Sequence, residues 1–390
     1  MSAPGLRAAL VRELHFLRQP WEQALLIWFP AATMALVLWL FSSGMPVGLP
    51  IAVVDEDHSS ASRELVRRIT AMRSLHIAAQ PASLQASWPL VRSGSVYGVV
   101  HVPPGWERDR LRGAPQPVVL YDNTQFFLVA GIVSGDVRAA VASMAVERAV
   151  ASEARFGGGF AQASSRLNVV QADLRTVFNP TLSYEAYLAG MLLPAVLHLF
   201  AVLAAVSALG REFRDRTVDA WLATADGSLT RALLGKLAPV LVVYLVLALL
   251  LMAVLAGWRG WTAAGSLVLW YGTLVTLMAV SIAVAVLFVG ATSNLRTALS
   301  LTGIYVATAL AFSGFSYPLV AMNEPARWWS SLLPFTYYLP LQQGQWMADA
   351  SFAAWARGML PLVLFTLIPL LAGLPLLARA VRNPSRWGAR

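Results

Sequence analysis

Apolar residues in this chain come in long unbroken runs rather than in the alternation of a half-buried strand. Six runs, at about 22–41, 186–209, 237–256, 264–289, 298–315 and 356–377, come close to the ~20 mostly apolar residues that a helix needs to cross a hydrocarbon layer ~30 Å thick. The third, LAPVLVVYLVLALLLMAVLAG, carries no charge at all, and the fifth is short and rich in Ser, Thr and Gly. The pattern predicts an α-helical polytopic membrane protein with six transmembrane helices. The first run follows Arg7, Arg12 and Arg18 and has the outline of a signal peptide. Its apolar core, residues 24–41, is longer than the roughly 7–15 residues of a cleaved segment, so it reads as an anchor covering 22–42.

Between the first two runs the pattern changes character. LPIAVVDED reads as a buried strand ending in an acidic turn. SSASRELVRRITAMRSL opens on capping serines and sets Leu65, Ile69 and Met72 at helical spacing. The alternation continues through HIAAQ, SLQASWPLVRSG, VYGVVHVPP, GWERDRLRG and PVVLYDNT, and a long helical stretch comes next, over 126–153. Strands alternating with helices predict an α/β domain with a small mixed sheet over 45–183, inserted between helices 1 and 2. The glycines at 157–159 and the Asn179-Pro180 pair mark its connections back to the membrane. The membrane part then occupies 184–378. Within it, residues 316–350 are too apolar for a solvated loop and too rich in proline for one helix, which predicts a re-entrant hairpin of two short half-inserted helices. Trp328, Trp329, Tyr337, Tyr338 and Trp346 in that stretch suit a membrane–water interface.

Composition agrees with the pattern: 57% of residues are hydrophobic and 13% charged, against about a quarter charged in a soluble domain. There is no cysteine, which excludes a disulfide framework, a thiol nucleophile and Cys-ligated zinc. The net charge of +9 is spread among loops rather than gathered in a stripe, so it argues for membrane topology and against a nucleic-acid partner. With the N-terminus inside, one face takes Arg7, Arg12, Arg18, Arg211, Arg214, Arg216, Arg231, Lys236, Arg296, Arg379, Arg382, Arg386 and Arg390. The short loops of the other face keep Arg259, Arg327 and Arg357. This asymmetry puts both termini, a connecting helix at 1–21 and a basic tail at 379–390 in the cytoplasm, and the α/β domain outside. Lys236 is the only lysine, a bias that reads as base composition rather than chemistry.

One charged island remains, GREFRDRTVDAWLATADGSLTRALLGK at 210–236. Its Gly-Lys falls short of a phosphate-binding loop: Thr230 stands where the first glycine belongs, and Leu237 where the hydroxyl does. Any ATP-driven work therefore needs a separate subunit, and the chain has no catalytic residue or metal of its own to offer. On one continuous helix, Arg211–Asp215 and Glu212–Arg216 form i,i+4 pairs worth about 0.2–0.5 kcal/mol each, and Phe213, Ala220, Trp221 and Thr224 share a second face. Two readings stay open: a membrane-lying connector, or a helix that docks into a cytosolic partner through Phe213 and Trp221.

In four places the sequence resembles the permease subunits of ABC-2 type exporters, and the likeness extends over essentially the whole chain. IAVVDEDHSSASRELVRRI and VRSGSVYGVVHVPPGWERDRLRG are similar to the opening of that family's outside domain. The 210–236 segment resembles its cytoplasmic motif, matched at Arg211, Glu212, Arg214, Asp215 and Thr217. FSGFSYPLVAMNEPARWWSSLLPFTYYLPLQQG resembles its outside hairpin. The motif departs at Arg216, where glycine is usual, and at Ala225, where proline is usual; the first departure is expected to make the helix more continuous. The resemblance implies a dimer with a second copy or paralogue, two ATP-binding cassette ATPase subunits carrying the ATP and Mg, and a bacterial inner-membrane location. It also makes 210–236 the coupling segment, with Arg211 to Thr217 and Trp221 as its working residues. The N-terminal helix then lies in the interface, with Leu6, Leu10, Leu14 and Leu17 striped opposite Arg7, Arg12 and Arg18. A periplasmic membrane-fusion adaptor is an expected contact of the outside domain, and a gating role at the dimer interface is the alternative.

Other residues invite function less strongly. His198 in the second run, and Tyr305, Thr308 and Ser313 in the fifth, either line a translocation path or fasten helices together. Asp55, Glu56, Asp57 and His58 are consecutive, so their side chains diverge, and they read as turn and capping residues rather than a metal site. The rival classes are an ion-coupled secondary transporter, which usually carries acidic residues within its spans, and a membrane sensor or scaffold, which would need a cytosolic output module.

Overall fold

The computed structural model describes residues 5–42, 44, 46–112, 116–155, 183 and 185–388; the two connections expected at 157–159 and 179–180 lie outside them. The chain divides into two compact units, Met1–Ser42 with Thr176–Arg390, and Ser43–Arg175.

The second unit is a three-layer α/β structure. Its strands β1 (Leu49–Asp55), β2 (Leu75–Ala79), β3 (Gly98–Val102) and β4 (Val119–Asp122) lie in the order β2-β1-β3-β4. Strand β1 is parallel to both neighbours, pairing Ile51 with Ile77 and Val54 with His101, while β4 returns antiparallel with Leu120 opposite Val100. Helices cover both faces, which is why β1 reads as a continuous apolar run. Ile51 and Val53 pack with Leu65 and Ile69 of the helix Ser60–Thr70 and with Val133 and Val137 of Phe127–Arg155. Ala52 and Val54 face Leu84 and Leu90 on the other side. Ser59 caps Ser60–Thr70, its Oγ accepting from the Ser62 N–H at 3.0 Å. Asp55 and Asp57 spend their carboxylates on backbone N–H groups of Asp57, His58 and Glu107.

Among the described residues, seven helices are long and apolar enough to cross a membrane, one more than the apolar runs predict. The additional one, Leu128–Glu147, belongs to the α/β unit, where Val133, Val137, Ala140 and Met144 join the sheet's core. The other six, all in the first unit, are Pro20–Leu40, Glu185–Arg214, Leu229–Trp258, Leu267–Thr292, Leu295–Phe312 and Phe352–Val381. They are numbered first to sixth below. The second and third outrun their apolar cores, with Arg211, Glu212 and Lys236 beyond the apolar runs buried by protein. Between the fifth and sixth, two helices, Glu324–Ser331 and Pro334–Trp346, occupy the stretch for which two were predicted.

Candidate functional site

The charged island is not one helix. The second helix carries it as far as Arg214, with Arg211, Glu212 and Phe213 of its last turn buried. Arg216 then adopts φ +57°, and the Thr217 N–H returns to the Glu212 carbonyl at 2.9 Å. This is a helix stop with a left-handed residue at the position that favours glycine. The expectation that arginine there makes the helix more continuous is therefore overturned: Arg216 takes the glycine conformation, and the chain breaks. A short helix, Val218–Thr224, comes next and ends in the same way, with Asp226 at φ +58° and the Gly227 N–H on the Leu222 carbonyl at 3.0 Å. Ser228 then caps the third helix.

The break separates the predicted i,i+4 partners, and other groups replace them. Arg12 of the N-terminal helix Leu6–Phe16 grips Glu212 with two bonds of 2.9 Å. Lys236 bridges Glu13 at 2.8 Å and Glu212 at 2.7 Å. Arg211 bonds Glu13 and reaches Glu22, at the start of the first helix, at 2.9 Å. Thr217 Oγ1 donates to the second Glu212 oxygen at 2.5 Å. Three cations and three anions thus close a neutral cluster in which Glu13, Glu212 and Lys236 are each no more than 1% exposed. The ring of Phe16 lies among the cations, 5.1 Å from Arg12, 4.5 Å from Arg211 and 5.9 Å from Lys236, within cation–π reach of each.

The N-terminal helix contributes to the cluster through one face. Its buried positions are Ala9 and Glu13, and Arg12 turns inward, while Leu6, Val11 and Leu14 are exposed. The inward face thus combines Arg12 and Glu13 with Ala9 and Phe16. The helix seats closely because of Gly235, where an added Cβ would lie 2.5 Å from that of Ala9. The Gly5 N–H also bonds the carbonyl of Thr224, at the end of the short helix, at 2.8 Å.

Phe213 and Trp221 are likewise buried, and the Trp221 indole donates to the carbonyl of Ala232 at 3.2 Å. They do not form the exposed docking face expected of them. Between Arg211 and Ala225 the exposed residues are Arg214, Asp215, Arg216, Asp219, Ala220 and Ala223. Arg214 and Asp215 pair through bonds of 2.7 and 2.8 Å, and the guanidinium holds the Asp215 carboxyl below its usual range. They line one wall of an open groove of ≈ 880 Å³ whose other wall includes Asn294, Leu295 and Arg296.

The remaining candidates do not gather into one site. His198 is buried, with Nδ1 2.7 Å from Ser281 Oγ of the fourth helix. Tyr305 donates to the carbonyl of Leu332, and Thr308 accepts from the Trp329 indole, so both fasten the fifth helix to Glu324–Ser331 and its C-cap. Ser313 bonds the Leu310 carbonyl. At the far end of the first three helices, Arg259 meets Glu185 at 2.6 Å and the carbonyl of Ser42 at 3.3 Å.

Sequence reasoning passed over Glu13, Glu22 and Lys236. The signals were present: Glu13 and Glu22 are the only acids before Asp55, and Lys236 is the only lysine in a chain that otherwise uses arginine.

The profile of a family described as "ABC-2 family transporter protein" matches residues 21–374. No curated protein matches the chain.

Proposed function

The chain belongs to the ABC-2 family of transporter proteins, and from that premise we propose that it is the membrane permease of an ATP-binding cassette exporter. It pairs with a second copy or a paralogue and moves a substrate out of the cytoplasm. Two separate ATPase subunits hold the ATP and magnesium. Six helices cross the membrane: Leu128–Glu147 carries Asp136, Arg138 and Glu147 and uses its apolar stripe on its own sheet. An even count puts both termini on one face, and the arginine distribution makes that face cytoplasmic. The α/β unit then lies outside, in reach of a periplasmic adaptor.

The observation that carries the reading is the buried charge cluster beneath the short helix Val218–Thr224. It ties that helix, through the N-terminal helix and the first three spans, into one body, so a push on the exposed Asp219–Ala223 side is delivered to the spans rather than absorbed. The coupling residues divide accordingly: Arg211, Glu212, Phe213, Thr217 and Trp221 hold the segment, while Arg214, Asp215 and Arg216 face the partner. The test is ATP-dependent export in vesicles holding the chain with its ATPase subunits. Equal export from vesicles holding the chain alone under an ion gradient would replace this reading with a secondary transporter.

A further inference from the structure

Beyond the sixth helix the chain folds back on itself. Phe352–Val381 leads into one 3-10 turn, Pro384–Arg386, and Trp387 then enters the same apolar core as Phe213 and Trp221. The Trp387 indole donates to the carbonyl of Ala380 at 3.1 Å, pinning the turn to the helix it came from. The next residue bonds elsewhere. The Gly388 N–H donates to the carbonyl of Phe213 at 2.8 Å. That carbonyl lies in the last turn of the second helix, where acceptors have lost their helical donors. Its nearest local donor, the Arg216 N–H, is 3.4 Å away. Gly388 takes φ +75°, and a Cβ placed there would collide with Nε of Arg216, the residue at which the second helix breaks.

The fold-back therefore links the inner end of the sixth helix to the pivot between the second helix and the short helix. The second and third helices are joined to the short helix by backbone; the sixth is not. We infer that Trp387 and Gly388 are positioning residues that carry displacement of Val218–Thr224 to the sixth helix. The inference rests on the reading of that short helix as the ATPase-coupling element. Both attachments suit such a link. The buried indole fixes one side, and the backbone bond, made at a left-handed glycine where a Cβ would meet the Arg216 side chain, fixes the other.

Because the chain has no cysteine, spin labels can be placed cleanly. One label at Val268, exposed at the start of the fourth helix, serves as reference; a second sits at Ala223 on the short helix or at Leu374 on the sixth. Distances to the reference are measured by electron–electron resonance in the complex with its ATPase subunits, nucleotide-free and trapped with ADP-vanadate. In the otherwise unaltered chain both distances are expected to shift. In Trp387→Ala, and in the milder Gly388→Ala, the Ala223 shift should remain and the Leu374 shift should be lost. Adding Arg216→Gly to Gly388→Ala, which removes the colliding side chain, should restore it. Unchanged Leu374 shifts in both variants would overturn the inference while leaving the coupling reading intact. An Ala223 label that does not move even without these substitutions would overturn the coupling reading and the inference with it.

Discussion

At one end of the first three membrane helices, Glu22, Arg211, Glu212 and Lys236 meet Arg12 and Glu13 in a buried cluster; at the other, Arg259 alone joins Glu185 and the carbonyl of Ser42. Along the third helix the two sites are about 35 Å apart at 1.5 Å per residue, just more than the ~30 Å of hydrocarbon between them. Both ends thus suit a boundary between apolar solvent and water, and they differ in burial: Glu13, Glu212 and Lys236 are each no more than 1% exposed, while Arg259 is 25% and Glu185 7% exposed. The N-terminal helix makes the difference, since it lies over the first end and brings Glu13 into its buried charges. Shielded charges attract strongly but depend on one another, because removing one strands its partners. Arg259, with a quarter of its side chain exposed, keeps its water and needs its partner less. The sealed end is rigid because it is complete, and the open end is tolerant because it is not. A segment that must transmit force is better placed over the first.

The sharpest way to break this comparison is Lys236→Met. It leaves Glu13 and Glu212 buried with an unbalanced charge and should cost about 3–5 kcal/mol, read as a fall in the unfolding midpoint of the purified chain. Adding Glu13→Gln restores neutrality, so the double variant should lose less than the two single losses summed. Strict additivity would mean that the six charges do not act as one cluster. A steric counterpart is Gly235→Val, which forces the N-terminal helix away from the third without touching a charge. Overpacking of this kind costs about 1–3 kcal/mol. It should also open the cluster, seen as faster amide exchange over residues 9–16. At the open end, Arg259→Gln should cost only about 1 kcal/mol, and the loss should shrink as salt rises, because exposed charges are screened over about 10 Å at 0.1 M. A salt-independent loss larger than that of Lys236→Met would reverse the contrast.

The long apolar helices of the first unit were legible in the sequence because an apolar run of about 20 residues is a local signal. The strands of the α/β unit were legible for a similar reason, with β1 a continuous apolar run and serines capping the helices Ser60–Thr70 and Leu84–Arg92. The cluster was not. Arg12 and Glu212 are 200 residues apart, and Glu13 and Lys236 are 223 apart. Local spacing offered Glu212 a partner in Arg216 four residues away, and the chain broke between them. Phe213 and Trp221 looked like a docking surface for the same reason: an amphipathic pattern shows that a face is apolar, not whose core it enters. Arg216 was misread because an arginine was expected to continue the helix, when the position itself takes a left-handed backbone.

Asp215→Arg separates transmission from support. Glu212→Arg cannot do so, since Glu212 is fully buried and accepts from Arg12, Lys236 and Thr217. Asp215 is exposed and bonds Arg214. Reversing its charge should change stability by no more than about 0.5 kcal/mol, leave membrane insertion as it was, and lower ATP-driven transport. If transport is normal, the exposed side of the segment is only a connector.

The smallest effect is expected where the same residue types meet in full view of water. On the α/β unit, Glu64 accepts from Arg68 at 2.8 Å and also from Arg67, while Arg68 reaches Glu147. The Arg68 bond, then the Arg67 bond, holds the Glu64 carboxyl below its usual range. A carboxyl whose folded pKa is depressed stabilises the fold above its unfolded pKa, and loses that contribution as pH falls through the folded value. Glu64→Gln should therefore lower the unfolding midpoint slightly at neutral pH and not at all in acid, where the parent carboxyl is itself protonated. Thermal unfolding of the full chain, monitored from neutral to acid, reads this directly. The cluster of Glu13, Glu212 and Lys236 and the trio of Glu64, Arg68 and Glu147 differ in burial far more than in chemistry. If Glu64→Gln proved as damaging as Lys236→Met, burial would not be what gives the inner cluster its hold on the fold.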